Sequence, residues 1–319
     1  MRKLASGALG IGAAVAFAQG DEAPKPAVPL DPVTAIIEAL ATHQVVALGD
    51  WHHNVQLHRV RLKLLRDPRL PNVVNDIVVE FGAPQHQDIV DRYVNGGDVA
   101  HDELRRVWTE TSQGGVWDGP VYEEFYDTVR EVNANLPADR RIRVVLGDPT
   151  PLTMEAEAEL IRREVIAKGR NALIVYGDGH LPRTPLFYPV SDREFAELAF
   201  THPDSISTVA HLEAANVSVF SVFAYMSDEF VAVQSDIKAW PTPALAIVAG
   251  TTVGLEPFAT FAPKGTQLWV PDANGGHAEE VRADPARSGL TQDQFDAVLL
   301  LGPADSMVTS EPRAPSSQD

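Results

Sequence analysis

Cysteine is missing from the 319 residues, which removes disulfides, zinc–thiolate sites and a cysteine nucleophile together. Basic residues are scarce: 26 Lys and Arg stand against 44 Asp and Glu, and a formal charge of -18 repels nucleic acid and anionic lipid. Several catalytic signatures are also lacking. There is no G-x-S-x-G elbow, no H-E-x-x-H, no phosphate loop, and no G-x-G-x-x-G after a strand; the one glycine cluster of that sort, Gly7 to Gly12, precedes the globular part. These absences disfavour a serine hydrolase and a nucleotide enzyme. No apolar run beyond residue 18 is long enough to span a bilayer.

What is present begins with a leader. Met1-Arg-Lys3, the weakly apolar run Leu4 to Phe17 and Ala16-Phe-Ala18 read as a secretory signal peptide over residues 1–18, cleaved after Ala18, with a retained span as the alternative. Its loss removes Arg2 and Lys3 and takes the charge from -18 to -20. A secreted or periplasmic protein is expected. Residues 19–32 carry four prolines and read as a linker, residues 33–305 as one α/β domain, and residues 306–319 as a disordered tail.

Within the domain, continuous β-branched runs alternate with helical periods. Strands are predicted at Val45–Leu48, Ile77–Phe81, Ile142–Leu146, Ala172–Tyr176, Val217–Phe223 and Ala297–Leu301, with a less regular one at Leu245–Val248. Runs apolar on both faces imply a mainly parallel central sheet flanked by helices. Residues 84–140 are helical throughout and read as a cap insertion over one edge of the sheet; 250–276 have no clear period. The helix after the third strand places Glu155, Glu157 and Glu159 early and Arg162, Arg163 and Lys168 late, which suits its dipole.

Two stretches repeat one plan, a buried-type strand breaking into Gly-Asp-x-His: Gly49-Asp50-Trp51-His52 and Gly177-Asp178-Gly179-His180. With 22 glycines and 10 histidines, about one Gly-x-x-His match arises by chance, so a single copy means little. Two copies after two strands mean more. Glu80 with Gly82, and Gly147-Asp148, end two further strands in the same manner. If the strands run parallel, these acids and both histidines share the carboxyl edge of the sheet, where ligands of such sheets bind. His52, Glu80, His180 and Asp50 are therefore the expected catalytic set, with His53, Trp51, Asp148, Tyr176, Asp178 and Arg183 around the ligand. His43, His58, His86, His101, His202, His211 and His277 lack this context and read as structural or surface residues.

Two carboxylates about 5 Å apart at an effective dielectric of about 20 repel by roughly 3 kcal/mol, so the acids need a balancing charge. An imidazolium at His52 or His180, Arg183, or a bound divalent metal would supply it, and carboxylates with imidazoles suit Mn, Fe, Co or Zn. With or without a metal, a histidine oriented by a carboxylate suits activation of water. Both schemes end in hydrolysis of a small-molecule or peptide substrate, and the sequence does not decide between them.

Gly49-Asp-Trp-His52, strand-end Glu80 and Gly177-Asp-Gly-His180 resemble the two G-x-x-H motifs and intervening glutamate of the superfamily that holds the erythromycin esterases, the Tiki and TraB proteins and the haem-binding ChaN lipoproteins. Ile77 through Arg92-Tyr93 to Val107-Trp108, Trp117 and Leu146-Gly-Asp148 extend the likeness. The resemblance implies a parallel α/β core with helical insertions. By likeness to the esterases, His52 is the base that activates water; to Tiki, His52, Glu80 and His180 bind a metal; to ChaN, the cleft holds haem without catalysis. The esterases carry glutamate where this chain has the shorter Asp50.

Overall fold

The computed structural model describes residues 23–183, 186–187, 207–261, 267–270, 277–280 and 285–311. The expected signal peptide and the outer tail, 312–319, lie outside them. The core is one sheet in the order β3-β2-β4-β1-β6-β10-β7, formed by β1 (Val45–Asp50), β2 (Asp76–Val79), β3 (Arg143–Leu146), β4 (Ala172–Gly177), β6 (Val219–Tyr225), β7 (Ala244–Ile247) and β10 (Ala297–Leu300). Strands β3 through β10 in that order pair in parallel; β7 runs antiparallel on the edge. A separate small antiparallel sheet joins β5 (Leu186–Phe187), β8 (Gln267–Val270) and β9 (His277–Glu280).

The apolar runs divide as the pleat requires. Val46 and Leu48 of β1 face one core with Ile77 and Val79; Val45 and Ala47 face the other with Val78, Ala172 and Ile174. The first core is roofed by α1 (Pro32–Leu40), α2 (Val55–Leu65), α3 (Gln87–Val94), α4 (His101–Thr109) and α5 (Pro120–Ala134). The second takes α6 (Met154–Glu164) and α7 (Thr208–Ala214). Side chains cap four of these helices: Asp31, Asn54, Thr153 and Ser207 each accept from a backbone N–H three residues on. Residues 84–140 hold α3, α4 and α5, which pack on the first of these faces of the sheet. Trp108, Trp117, Tyr122, Phe125 and Tyr126 are buried there against Phe81.

Two expected boundaries need correction. The proline-rich stretch is no free linker from residue 23 on: Leu30 pairs with Leu245 on the outer edge of β7, and Ala27 is buried against Gln234. β7 is an edge strand, so its open backbone groups recruit this segment. The tail is ordered through residue 311, where Val308 accepts from Val55 N–H and Ser310 N–H donates to the His53 carbonyl at 2.8 Å. Among the described residues no helix is long and apolar enough to cross a membrane.

Candidate functional site

Strands β1, β2, β3 and β4 are neighbours and parallel, so their four Gly/acid ends open on one edge of the sheet. Asp50 of β1 lies level with Gly177 of β4, which brings the two Gly-Asp-x-His turns side by side. The space at both glycines is close. A Cβ on Gly49 would lie 1.8 Å from Asp178 Oδ1, and one on Gly177 would lie 3.0 Å from His52 Cε1 and 3.2 Å from its Nε2.

One side of the cleft is built on Asp50. Its Oδ1 pairs with the Arg61 guanidinium from α2 and its Oδ2 lies 3.1 Å from His52 Nδ1. Burial favours the neutral acid, but the Arg61 charge and the His52 contact outweigh it and hold the carboxyl at about 2. An ionised carboxylate only accepts, so His52 Nδ1 is the donor and the lone pair of the neutral ring lies on Nε2. That nitrogen has no hydrogen-bond partner among the described residues, and the side chain is 37% exposed. Desolvation opposes protonation of His52, yet bonding to Asp50 and the charge of Glu80 raise its pKa above the ordinary value. Trp117 meets the ring edge-on at 4.6 Å.

The other side is built on Glu80 and Glu157. Glu80 accepts from Gly177 N–H at 2.6 Å and from Gln113 Nε2 at 3.1 Å, and lies 3.4 Å from His180 Nε2. Against the cost of burial, the His180 charge and these donors hold it at about 2, so Glu80 is a fixed anion and not a base. His180 Nδ1 lies 2.7 Å from Glu157 Oε2, on α6. Burial opposes charge on His180, but two carboxylates, Glu157 and Glu80, raise it well above the usual imidazole range. Burial raises Glu157 as well; between these two the proton belongs on His180, which faces two anions while Glu157 faces one cation.

The remaining expected residues sort by geometry. Asp148 is buried and accepts from Ser112 Oγ at 2.6 Å and from Ser112 N–H, which ties down the loop carrying Gln113; burial pushes it up to about 6. Asp178 accepts from Ala224 N–H at 3.3 Å and burial pushes it up to about 8. Tyr176 donates to the Gly147 carbonyl at 2.7 Å and turns its ring toward His180, 5.3 Å between centroids. His53 has φ 61, in the left-handed region, and packs on Tyr122. Trp51 packs against the helical core. Arg183 departs from expectation: it pairs with Glu213 and Asp296, and the balancing cations of the cleft are Arg61 and His180.

The expected metal trio is also corrected. No group of three His, Asp or Glu among the described residues is arranged to hold a metal ion. His180 instead lies between two carboxylates, with Glu157 at 2.7 Å from Nδ1 and Glu80 at 3.4 Å from Nε2. Sequence reasoning missed Arg61, Glu157, Gln113 and Thr208. A signal existed for two of them: Arg61 follows Leu57 by four residues and Glu157 precedes Leu160 and Ile161 by three and four, which places each on its helix's apolar stripe. His58 is buried as a structural residue, bonded to Glu124 at 2.9 Å.

Comparison with known proteins bears on this arrangement. Residues 36–144 match the family described as "Haem-binding uptake, Tiki superfamily, ChaN"; His52 and Glu80 lie inside the match, Glu157 and His180 beyond it. No curated protein matches the chain. A Bacillus cereus protein of solved structure aligns at 10% identity with TM-score 0.53 over 91% of this chain and 97% of its own. A succinoglycan biosynthesis protein aligns at 9% identity with TM-score 0.54, over 90% and 96%. These two show a shared fold. ChaN of Campylobacter jejuni, solved with cofacial haem, aligns at 13% identity and TM-score 0.37 over 61% of this chain and 86% of its own. The match takes in the segment that carries His52 and Glu80, and the chain is similar there to the ChaN-like side of the Tiki superfamily.

Proposed function

We propose that the chain binds a small molecule against the bare nitrogen of His52, and that haem is the ligand. The family description supports this reading. In the chain itself, the observation that carries it is the donor: Nε2 of a ring whose other nitrogen is held by an ionised carboxylate. Imidazoles that ligate metals are commonly held so, because the second N–H bond fixes the tautomer and raises basicity. The residues fit haem at His52, whose Nε2 is exposed and unpaired among the described residues, while Asp50 and Glu80 line the interior as anions. The exposed flank of His52 is the surface left to it. Bound haem supplies an iron centre that accepts the imidazole lone pair. Asp50 and Arg61 orient that lone pair, and Trp117 backs the ring. The leader-like residues 1–18 support a secreted or periplasmic setting.

The test is an absorbance titration with hemin. The wild-type chain is expected to give a saturable Soret shift, and His52→Ala to weaken it by at least about 10-fold. The proton on His52 competes with iron, and its pKa is raised, so affinity falls as pH drops through that range. Equal affinity in His52→Ala, or affinity that rises toward acid pH, would contradict the reading.

A second reading has its own observation. The Arg61–Asp50–His52 line is what a general base needs, with an imidazole oriented by a buried carboxylate and its free nitrogen toward the cleft. His52 would then take a proton from water attacking an ester, lactone or amide. None of the comparisons bears on hydrolysis. Turnover of an ester and lactone panel by wild type and not by His52→Ala supports this use; inertness toward the whole panel removes it.

A further inference from the structure

Neither reading uses Glu157. It is fully buried on α6, beside Leu160 and Ile161, where an unpaired carboxylate costs several kcal/mol. Its partners come from two other elements. Oε2 accepts from His180 Nδ1 at 2.7 Å and from the hydroxyl of Thr208, the first residue of α7, while Oε1 has no hydrogen-bond partner among the described residues. One carboxylate oxygen taking two donors is the pattern of an ionised group.

We propose that Glu157 is a positioning residue that turns His180 Nδ1 inward, so that its Nε2–H faces Glu80 and the cleft and His180 stands there as a proton donor opposite the proton acceptor His52. The geometry points to it. Glu80 already takes donors from Gly177 and Gln113 and is acceptor-only, so a bare Nε2 at 3.4 Å would set two lone pairs against each other. A proton on each nitrogen gives Glu157 its hydrogen bond and sets a positive charge 3.4 Å from Glu80. The charged and titratable groups around the ring are Glu80, Glu157, Tyr176 and, across the cleft, His52 and Asp178. The two Gly-Asp-x-His turns thus carry opposite proton roles, because one histidine is backed by an acid already neutralised by arginine and the other lies between two acids. The inference goes beyond both uses of the cleft and depends on no particular ligand.

The experiment is nitrogen NMR of the full chain labelled at its histidine ring nitrogens, with the His180 signals assigned by their loss in His180→Gln. In the wild type at neutral pH, both His180 nitrogens are expected to be protonated. Glu157→Gln should convert the ring to a neutral single tautomer and leave the His52 signals in place, and Glu157→Asp, which keeps the charge, should restore the doubly protonated ring. A neutral His180 ring in the wild type overturns the proposal, as does a His180 spectrum unchanged in Glu157→Gln. Should Glu157→Gln fail to fold, the wild-type and Glu157→Asp spectra still decide. None of these spectra depends on whether hemin binds, so this proposal and the haem reading fail separately.

Discussion

Replacing Arg61 with methionine is expected to cost about 3–5 kcal/mol of unfolding free energy, the loss typical when a buried ion pair loses one member. Arg61 is 2% exposed, its guanidinium reaches the Asp50 carboxylate, and the rings of Phe81 and Tyr122 lie 5.8 and 5.9 Å from it. Without Arg61, Asp50 is left as a buried anion whose remaining partner is His52. It responds by taking a proton, and His52 loses the acceptor that fixes its tautomer. Denaturant unfolding should therefore show a lower midpoint, and hemin affinity should drop with it. The double variant Asp50→Asn/Arg61→Met removes both charges and should recover much of the stability without restoring affinity. A single variant as stable as wild type would mean that the pair does not organise the cleft.

The second large effect has the opposite sign. Asp178 is pushed from an ordinary 3.8 up to about 8 by burial, with Asp50 adding repulsion. A carboxyl raised in the folded state contributes stability that is complete below its unfolded pKa and lost as pH rises through the folded one. The wild type should therefore lose stability steadily between about pH 4 and pH 8 on account of this residue. Asp178→Asn keeps an acceptor for Ala224 N–H and removes the titration. Its advantage over wild type should grow with pH and level off above about 8, at on the order of 6 kcal/mol. Asp50 and Glu80, held at about 2, work the other way: their contributions are present above their unfolded pKa values and fade toward pH 2. Urea unfolding across pH reads both slopes. An advantage independent of pH would remove Asp178 as their source.

The strand ends were legible because two signals coincide there. A run such as Val45–Leu48, apolar at every position, is a strand covered on both faces, and a glycine followed by an acid marks where it leaves the sheet. The parallel order of β1 to β4 then needs only the helices between them. The supporting residues were hidden because their residue types misled. Glu157 sits in the first turn of α6, where an acid suits the helix dipole, so that role masked its bond to His180. Arg61 lies among Arg59, Lys63 and Arg66, which are exposed, and only its place on the stripe with Leu57, Leu64 and Leu65 separates it from them. Composition misled at both ends of the domain. Proline and polar residues suggested free chain at 23–32 and 306–311, whereas long-range backbone bonds to β7, His53 and Val55 hold these segments, and no local pattern encodes such pairing.

Everything functional follows from two histidines, 128 positions apart in sequence, meeting over Glu80. The absence of cysteine makes this directly measurable, since His52→Cys/His180→Cys introduces the only two thiols in the chain. A short thiol-reactive cross-linker such as a dibromoalkane should alkylate both sulfurs, releasing two bromide ions and two protons, and bridge them rapidly within one molecule; each single variant should give no bridge. Two thiols that each react alone and never join would contradict a shared cleft.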